Sequence, residues 1–339
     1  MSLHLQIDSN ARTPKYKQIV RGIIEAIERG QILRYQQLPS INELSEEYYI
    51  ARDTVEKAYK ELKAGGIIGS VKGKGFYVLN DRPKQLKVLL LMNKLSAYKK
   101  AIYENFVATL GNQATISLHI HHGNARIFHE ILRENLGQFH YYVVMPHFYE
   151  DTDKVNPLEL LRQIRPQELM ILDKLLPEWG IQCAAVYQDF TRDIYHALES
   201  GQDLLAKYQE MVLIFPKDVN YPSEIVQGVR NFCVHHQRPF RIAEKASDEK
   251  TLQAKCFIVL EDTDLAELVK KAKNEHLNIG KEVGIVAFND TPLKEVLADG
   301  ITVISTDHAQ MGKTAAEILL SQKATQIKNP FRLIKRNSL

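Results

Sequence analysis

Between residues 13 and 79 the apolar positions fall first at helical and then at strand spacing. Tyr16, Ile19, Val20, Ile23, Ile24 and Ile27 recur at three- and four-residue steps, predicting a helix that Thr13-Pro14 opens and Gly30 stops. Pro39-Ser40-Ile41-Asn42-Glu43-Leu44 starts a second helix, with Ser40 and Glu43 spaced as a capping box that satisfies two orphan backbone N–H groups. A third runs from about Arg52 to Ala64, buries Val55, Ala58 and Leu62, and ends at Gly65-Gly66. Ile67-Ile68 and Phe76-Tyr77-Val78 are strand-like runs around Gly69-Ser70-Val71-Lys72-Gly73-Lys74-Gly75, and the alternating Leu3, Leu5 and Ile7 offer an edge strand beside them.

Three helices followed by a basic, glycine-rich hairpin describe a winged helix-turn-helix. The glycines let the wing turn tightly and approach a groove wall, while Lys72 and Lys74 can pair with phosphates without reading sequence. After it, the polar, proline-containing segment 80–85 marks a boundary, which divides the chain into a DNA-binding domain (1–80), a linker (81–86) and a larger domain (87–339). In the larger part apolar runs at 88–92, 116–120, 141–145, 170–172, 211–215, 257–260 and 283–288 alternate with helical stretches. Such alternation predicts parallel sheets, and so many units predict two α/β lobes with a cleft between them.

Charge sharpens this division. Residues 1–82 carry 13 Lys+Arg against 10 Asp+Glu, and the rest carries 31 of each, so the net +3 of the chain lies in the N-terminal part. Cys183, Cys233 and Cys256 are too scattered for a disulfide framework or a zinc site, which points to a reducing cytoplasm. No segment has the apolar length of a signal peptide or membrane span.

Pro14-x-Tyr16, Leu38-Pro39-Ser40, Arg52-x-Thr54-Val55 and Gly73-x-Gly75-x-Tyr77-Val78 resemble the GntR family of bacterial transcription regulators. The resemblance implies that the third helix enters the major groove and the wing the minor groove. DNA contact then falls to Ser40, Asn42, Arg52, Asp53, Thr54, Lys72, Gly73 and Lys74. At the start of the recognition helix, the Arg52 guanidinium is suited to a bidentate contact with guanine or to a phosphate clamp. Asn42 stands where members often carry an arginine, and Ala51 where a serine usually caps the helix.

Farther on, Phe257-Ile258-Val259-Leu260-Glu261-Asp262, the segment 283–293, Met311-Gly312-Lys313-Thr314-Ala315-Ala316-Glu317 and the closing Phe331-Arg332-Leu333-Ile334-Lys335-Arg336 resemble the LacI type of effector domain, related to periplasmic sugar-binding proteins. Together the two likenesses resemble the arabinose repressor group. They imply a chain that crosses three times between lobes, with effector contacts where strands end at the cleft: Tyr98, Lys99, Asp173, Lys174, Asp189, Glu261, Asn289 and Asp290. For Asn289, Asp290, Tyr98 and Asp173 a turn, capping or packing role stays open beside ligand contact. The expected partners are a double-stranded operator, a monosaccharide or sugar phosphate, and a second copy of the chain. The stripe Ile102, Phe106, Leu110 offers a dimer surface or a face packed on its own sheet.

Other signals fail. Gly312-Lys313-Thr314 lacks the glycine five residues upstream that a phosphate-binding loop requires, Asp307 standing there instead. His119, His121 and His122 have no supporting ligand motif, and no G-x-S-x-G elbow or cofactor lysine motif is visible. Neither an enzyme with an appended reader nor a sugar-binding module with a protein-contact domain accounts for as many residues as an effector-controlled regulator without cofactor.

Overall fold

The computed structural model describes residues 5, 7–8, 13–28, 31–71, 73–79, 85–149, 156, 158–176, 180, 182–217 and 221–339, which form two compact units, 1–86 and 87–339. Leu3, Gly30, Lys72 and the junction 80–84 lie outside the described residues.

In the first unit, α1 (Lys15–Glu28), α2 (Ile41–Tyr48) and α3 (Arg52–Ala64) turn their apolar stripes onto one core, where Ile19, Ile23, Leu44, Val55 and Leu62 are fully buried. The capping box at Ser40 forms in both directions. The Glu43 N–H donates to Ser40 Oγ (3.2 Å), and the Ser40 N–H to Glu43 Oε2 (2.6 Å). Tyr59, buried on α3, donates its hydroxyl to the Pro39 carbonyl at 2.7 Å and so fixes α3 against the start of α2. The wing is the antiparallel pair β1 (Ile68–Val71) and β2 (Gly75–Val78), Ile68 opposite Val78. Among the described residues its extra neighbour is not Leu5 or Ile7. Gln37 bridges to Tyr77, and the Leu38 N–H donates to the Phe76 carbonyl at 2.9 Å. Leu5 is drawn instead to the apolar surface of α1, where the missing side chain of Gly22 leaves it room.

The second unit runs β3 (Leu86–Met92), α4 (Ala97–Leu110), β4 (Ala114–Ile120), α5 (Ala125–Asn135), β5 (Tyr141–Val144), α6 (Leu158–Leu161), β6 (Leu169–Lys174) and β7 (Ala184–Gln188). It continues through α7 (Phe190–Glu199), α8 (Gln202–Leu205), β8 (Glu210–Ile214), α9 (Glu224–His235), β9 (Phe240–Ala243), β10 (Lys255–Val259), α10 (Asp262–Asn274), β11 (Gly284–Phe288), α11 (Pro292–Val296) and β12 (Thr302–Thr306). It closes with α12 (His308–Ser321), β13 (Gln326–Lys328) and β14 (Phe331–Ile334). Two six-stranded sheets result, ordered β13-β7-β6-β5-β3-β4 and β14-β12-β11-β10-β8-β9. β14 runs antiparallel to β12, whereas β3-β5-β6-β7-β13 and β9-β8-β10-β11-β12 are parallel. Central strands such as β11 are buried at every residue, because helices cover both sheet faces.

The chain passes between the lobes three times, at 188–190, 306–308 and 328–331. Buried Asn329 laces these crossings. Its N–H donates to the Tyr187 carbonyl (2.8 Å), and its amide to Thr306 Oγ1 (2.7 Å) and the Asp307 carbonyl (2.8 Å). Near the crossings α12 lies on α4. A Cβ on Gly312 would run into the Ile102 carbonyl, so this glycine serves close helix packing, which also accounts for the Gly-Lys-Thr sequence. Ile102, Phe106 and Leu110 are accordingly buried within the chain and are not free to form a dimer surface. All three cysteines are free and buried. No helix among the described residues is long and apolar enough to cross a membrane.

Candidate functional site

Two surfaces carry the candidate residues. On the first unit, Arg52 and Asp53 are exposed on the first turn of α3, with Thr54 half-buried behind them. Ala51 offers no side-chain cap, but its carbonyl accepts the Thr54 N–H at 2.9 Å. Asn42 is exposed at the start of α2, whereas the Ser40 hydroxyl is already engaged as the cap. In the wing Gly73 (φ 76°) and Gly75 (φ 94°) take left-handed conformations that let the strand reverse. The Lys74 carbonyl accepts hydrogen bonds from Gln37 Nε2 (2.8 Å) and the Tyr77 hydroxyl (2.9 Å), so the backbone at the tip is held while the Lys74 side chain stays exposed. Lys63 Nζ donates to Ser70 Oγ at 2.8 Å, tying α3 to the wing. Sequence reading overlooked Tyr49, which is 94% exposed with φ 52° in the turn between α2 and α3.

In the second unit the strand ends converge on a narrow cleft with a cavity of about 40 Å³. At its centre is Asp173, at the end of β6 and 6% exposed. Its Oδ2 accepts from Lys99 Nζ of α4 (3.1 Å) and from His147 Nε2 (2.9 Å), and its Oδ1 from the Gln188 amide at the end of β7. Lys99 is 5% exposed and also donates to Asn93 Oδ1 at 2.5 Å. Burial works to raise the Asp173 carboxyl, but the Lys99 ammonium and His147 outweigh it and hold the group well below the usual carboxylate range. Burial and the same ammonium depress His147, so near neutrality it is a neutral imidazole whose Nε2–H donates to the carboxylate. The cluster is thus one buried ion pair with neutral donors around it.

Asn289, 4% exposed with φ 62°, enters from the other lobe after β11. No hydrogen bond of its side-chain amide is found among the described residues, and Gln188 Oε1 is buried without a partner. Aromatic walls come from both lobes: Tyr98 lies 5.0 Å from the His308 ring, and Phe190, Tyr221 and Phe288 complete the lining. Burial pushes His308 down to about 4.

Tyr98, Lys99, Asp173 and Asn289 therefore meet at the cleft; four other expected residues do not line it. Lys174 faces away from Asp173 and pairs with Glu224 at 2.8 Å, bridging β6 of one lobe to α9 of the other. Asp189 caps α7 through the Arg192 N–H (3.2 Å) at the first crossing. Glu261 accepts the Tyr221 hydroxyl at 2.6 Å, and Asp290 forms a two-pronged pair with Arg336, both bonds 2.8 Å. These carboxylates already have partners. His147, Gln188, Tyr221 and His308 are cleft residues the sequence reading passed over; His147, Gln188 and His308 sit at or within three residues of a strand's end, whereas Tyr221 lies between β8 and α9.

A family model described as bacterial regulatory proteins, gntR family, matches residues 15–78, and one described as a periplasmic binding protein-like domain matches residues 205–339. The HTH-type transcriptional repressor YtrA of Bacillus subtilis is 34% identical over 98 residues, which is 29% of this chain and 72% of that protein. The chain belongs to the gntR family of bacterial regulatory proteins and is a DNA-binding transcription regulator. It spans half or less of the length of other curated relatives, including an arabinose metabolism transcriptional repressor of Geobacillus stearothermophilus. Solved structures share the fold of the larger unit. The trehalose repressor from Escherichia coli superposes with TM-score 0.60 at 16% identity, covering 74% of this chain and 100% of that one. A lac repressor dimer bound to operator and the anti-inducer ONPF gives 0.60 at 14%, covering 75% and 94%.

Proposed function

We propose that this regulator is a repressor of a carbohydrate-utilisation operon, binds a near-palindromic duplex as a two-fold dimer, and answers to a monosaccharide or sugar phosphate held between the lobes of 87–339. The observation that carries the effector reading is Asn289. An amide that faces the cleft on a residue only 4% exposed, with donor and acceptor both unused among the described residues, is a group a polyol hydroxyl would satisfy. Gln188 Oε1 and the aromatic walls support the same reading.

The effector acts through linkage. A ligand touching both lobes prefers one lobe arrangement, and the coupling to DNA equals its difference in affinity between arrangements. The Lys174–Glu224 pair, at 2.8 Å, joins one lobe to the other and would be broken by a change in their arrangement. Arg52 and Lys74 supply the base and phosphate contacts. One winged module covers too little DNA for a tight site, which favours the dimer.

The test enriches duplexes from a random pool on the full chain, then measures affinity for the selected duplex with and without a panel of sugars and sugar phosphates. A dyad-related site whose affinity shifts with one sugar class, and a response lost in Asn289→Ala, support the proposal. A panel member that stabilises the chain yet leaves DNA affinity unchanged would sink the coupling.

A further inference from the structure

The cleft's charges do not balance, and the residue that unbalances them is Lys94. It follows β3, lines the cavity half-buried, and has no carboxylate within ion-pair distance among the described residues. Its Nζ lies 5.9 Å from the centre of the Tyr98 ring in one lobe and 5.4 Å from that of Tyr221 in the other. Two ring faces hold the ammonium between the lobes, but a cation–π contact offsets only part of the hydration a dry site removes.

The other cationic side chains at the cleft are matched or uncharged. Lys99 is neutralised by Asp173 at 3.1 Å; His147 and His308 are kept uncharged near neutrality by burial. At the cleft's edge Lys174 has Glu224, and Lys294 has Asp262 at 3.0 Å. Glu261 sits at the hydroxyl end of Tyr221 and takes that proton as a hydrogen bond. A neutral sugar would close the lobes over one uncompensated ammonium, whereas a ligand carrying its own anion removes that cost and gains a charge-assisted hydrogen bond.

We infer that the effector is an anionic polyol, a sugar bearing a phosphate monoester or a carboxylate, whose anion sits on Lys94 while its hydroxyls meet Asn289 and Gln188. This rests on the sensor reading above and narrows it. A lysine ammonium is a point charge without the planar fork of arginine, so either anion satisfies it.

Matched probes separate the sources. The full chain is titrated calorimetrically with glucose, glucose 6-phosphate and glucuronate, with ribose and ribose 5-phosphate, and with trehalose and trehalose 6-phosphate. An anionic member should bind about ten- to hundredfold more tightly than its neutral parent. Lys94→Met should bring it down to the parent's level, and Lys94→Arg should restore part of the difference. Whether the phosphate or the carboxylate member prevails identifies the anion. A neutral parent that binds as well as its anionic partner, in wild type and Lys94→Met alike, overturns the anion inference and leaves the sugar sensor standing. Binding of no member, by a chain shown to melt cooperatively, overturns the sensor reading and this inference with it.

Discussion

Removing both partners of the buried Lys99–Asp173 pair should cost less than the sum of removing each alone. In Asp173→Ala the Lys99 ammonium stays 5% exposed, with only Asn93 Oδ1 and the Met145 sulfur, 3.7 Å away, to face it. Neither carries charge, and an orphaned buried charge costs about 3–5 kcal/mol. For a unit of 253 residues, 87 to 339, each kcal/mol moves the melting midpoint about 2–4 °C, so a loss on the order of 10 °C is expected. Lys99→Met is milder for a specific reason. Without the ammonium, His147 no longer feels its repulsion and can take a proton beside Asp173 at 2.9 Å, becoming the replacement counter-ion. Its cost should therefore shrink as pH falls from 8 to 6. The double variant Lys99→Met/Asp173→Ala leaves no charge stranded and should fall short of the summed single losses by about 1–3 kcal/mol. Urea denaturation of the four proteins at pH 8 and pH 6 measures all of this. Additive losses below about 1 kcal/mol each would show that the pair is hydrated, and the argument from burial would fail.

Arg52→Ala should cost roughly 1–3 kcal/mol on the selected duplex and relax its base preference, whereas Lys74→Ala should weaken all duplexes alike and flatten the salt dependence; salt titrations by fluorescence anisotropy distinguish them. Tyr49→Gly should stabilise the chain by about 1 kcal/mol, since the ring is 94% exposed and only the left-handed backbone cost at φ 52° is removed; unchanged urea stability would contradict this. Gly312→Ala should destabilise by roughly 1–3 kcal/mol, because its Cβ meets the Ile102 backbone, and a melting midpoint at the wild-type value would reject the packing account. Burial lowers both His121 and His308 to about 4. Depressed folded values mean stability that is complete above the unfolded value of about 6.5 and is lost as pH falls toward 4, by about 3 kcal/mol apiece. In His121→Phe the slope over that window should drop by one histidine's share.

Strands buried on both faces announce themselves as apolar runs, so β3, β5, β8, β10 and β11 were legible at once. β12 was not, although every residue of it is buried, because Thr302, Ser305 and Thr306 interrupt the run. Its two threonine hydroxyls find remote partners, Thr302 Oγ1 donating to the Arg336 carbonyl (3.0 Å) and Thr306 Oγ1 to the Pro330 carbonyl (3.1 Å), while Ser305 Oγ donates to the neighbouring Thr306 carbonyl (2.9 Å). The Arg336 and Pro330 carbonyls belong to the returning chain after α12, and no window of local sequence contains them. The edge strands β9 and β13 hid for the opposite reason, being too exposed to carry an apolar signature. In the first unit the capping box marks the start of α2 and α3 spans the expected 52–64, whereas the end of α2 at left-handed Tyr49 carried no signal that was read.

The cleft followed the same division between local and remote information. That strand ends would converge was predictable, and with the resemblance to LacI-type effector domains it pointed to Asp173 and Asn289, which line the cleft. What adjacency could not decide is which of two neighbouring polar residues looks inward. Asp173 and Lys174 differ by one position, yet side chains alternate along a strand, so one centres the cleft and the other reaches Glu224 across the lobes. Asn289 and Asp290 part at a left-handed turn, after which Asp290 finds Arg336, 46 residues further on. From sequence Lys99 could serve either as a charge for an acidic ligand or as a partner of Asp173, and the fold pairs it with Asp173. The charge left for a ligand is Lys94, on the loop rather than the helix, held by two rings from different lobes that only the closed fold brings together. A residue's chemistry can thus be named from sequence, while its vacancy depends on partners that folding supplies from elsewhere in the chain.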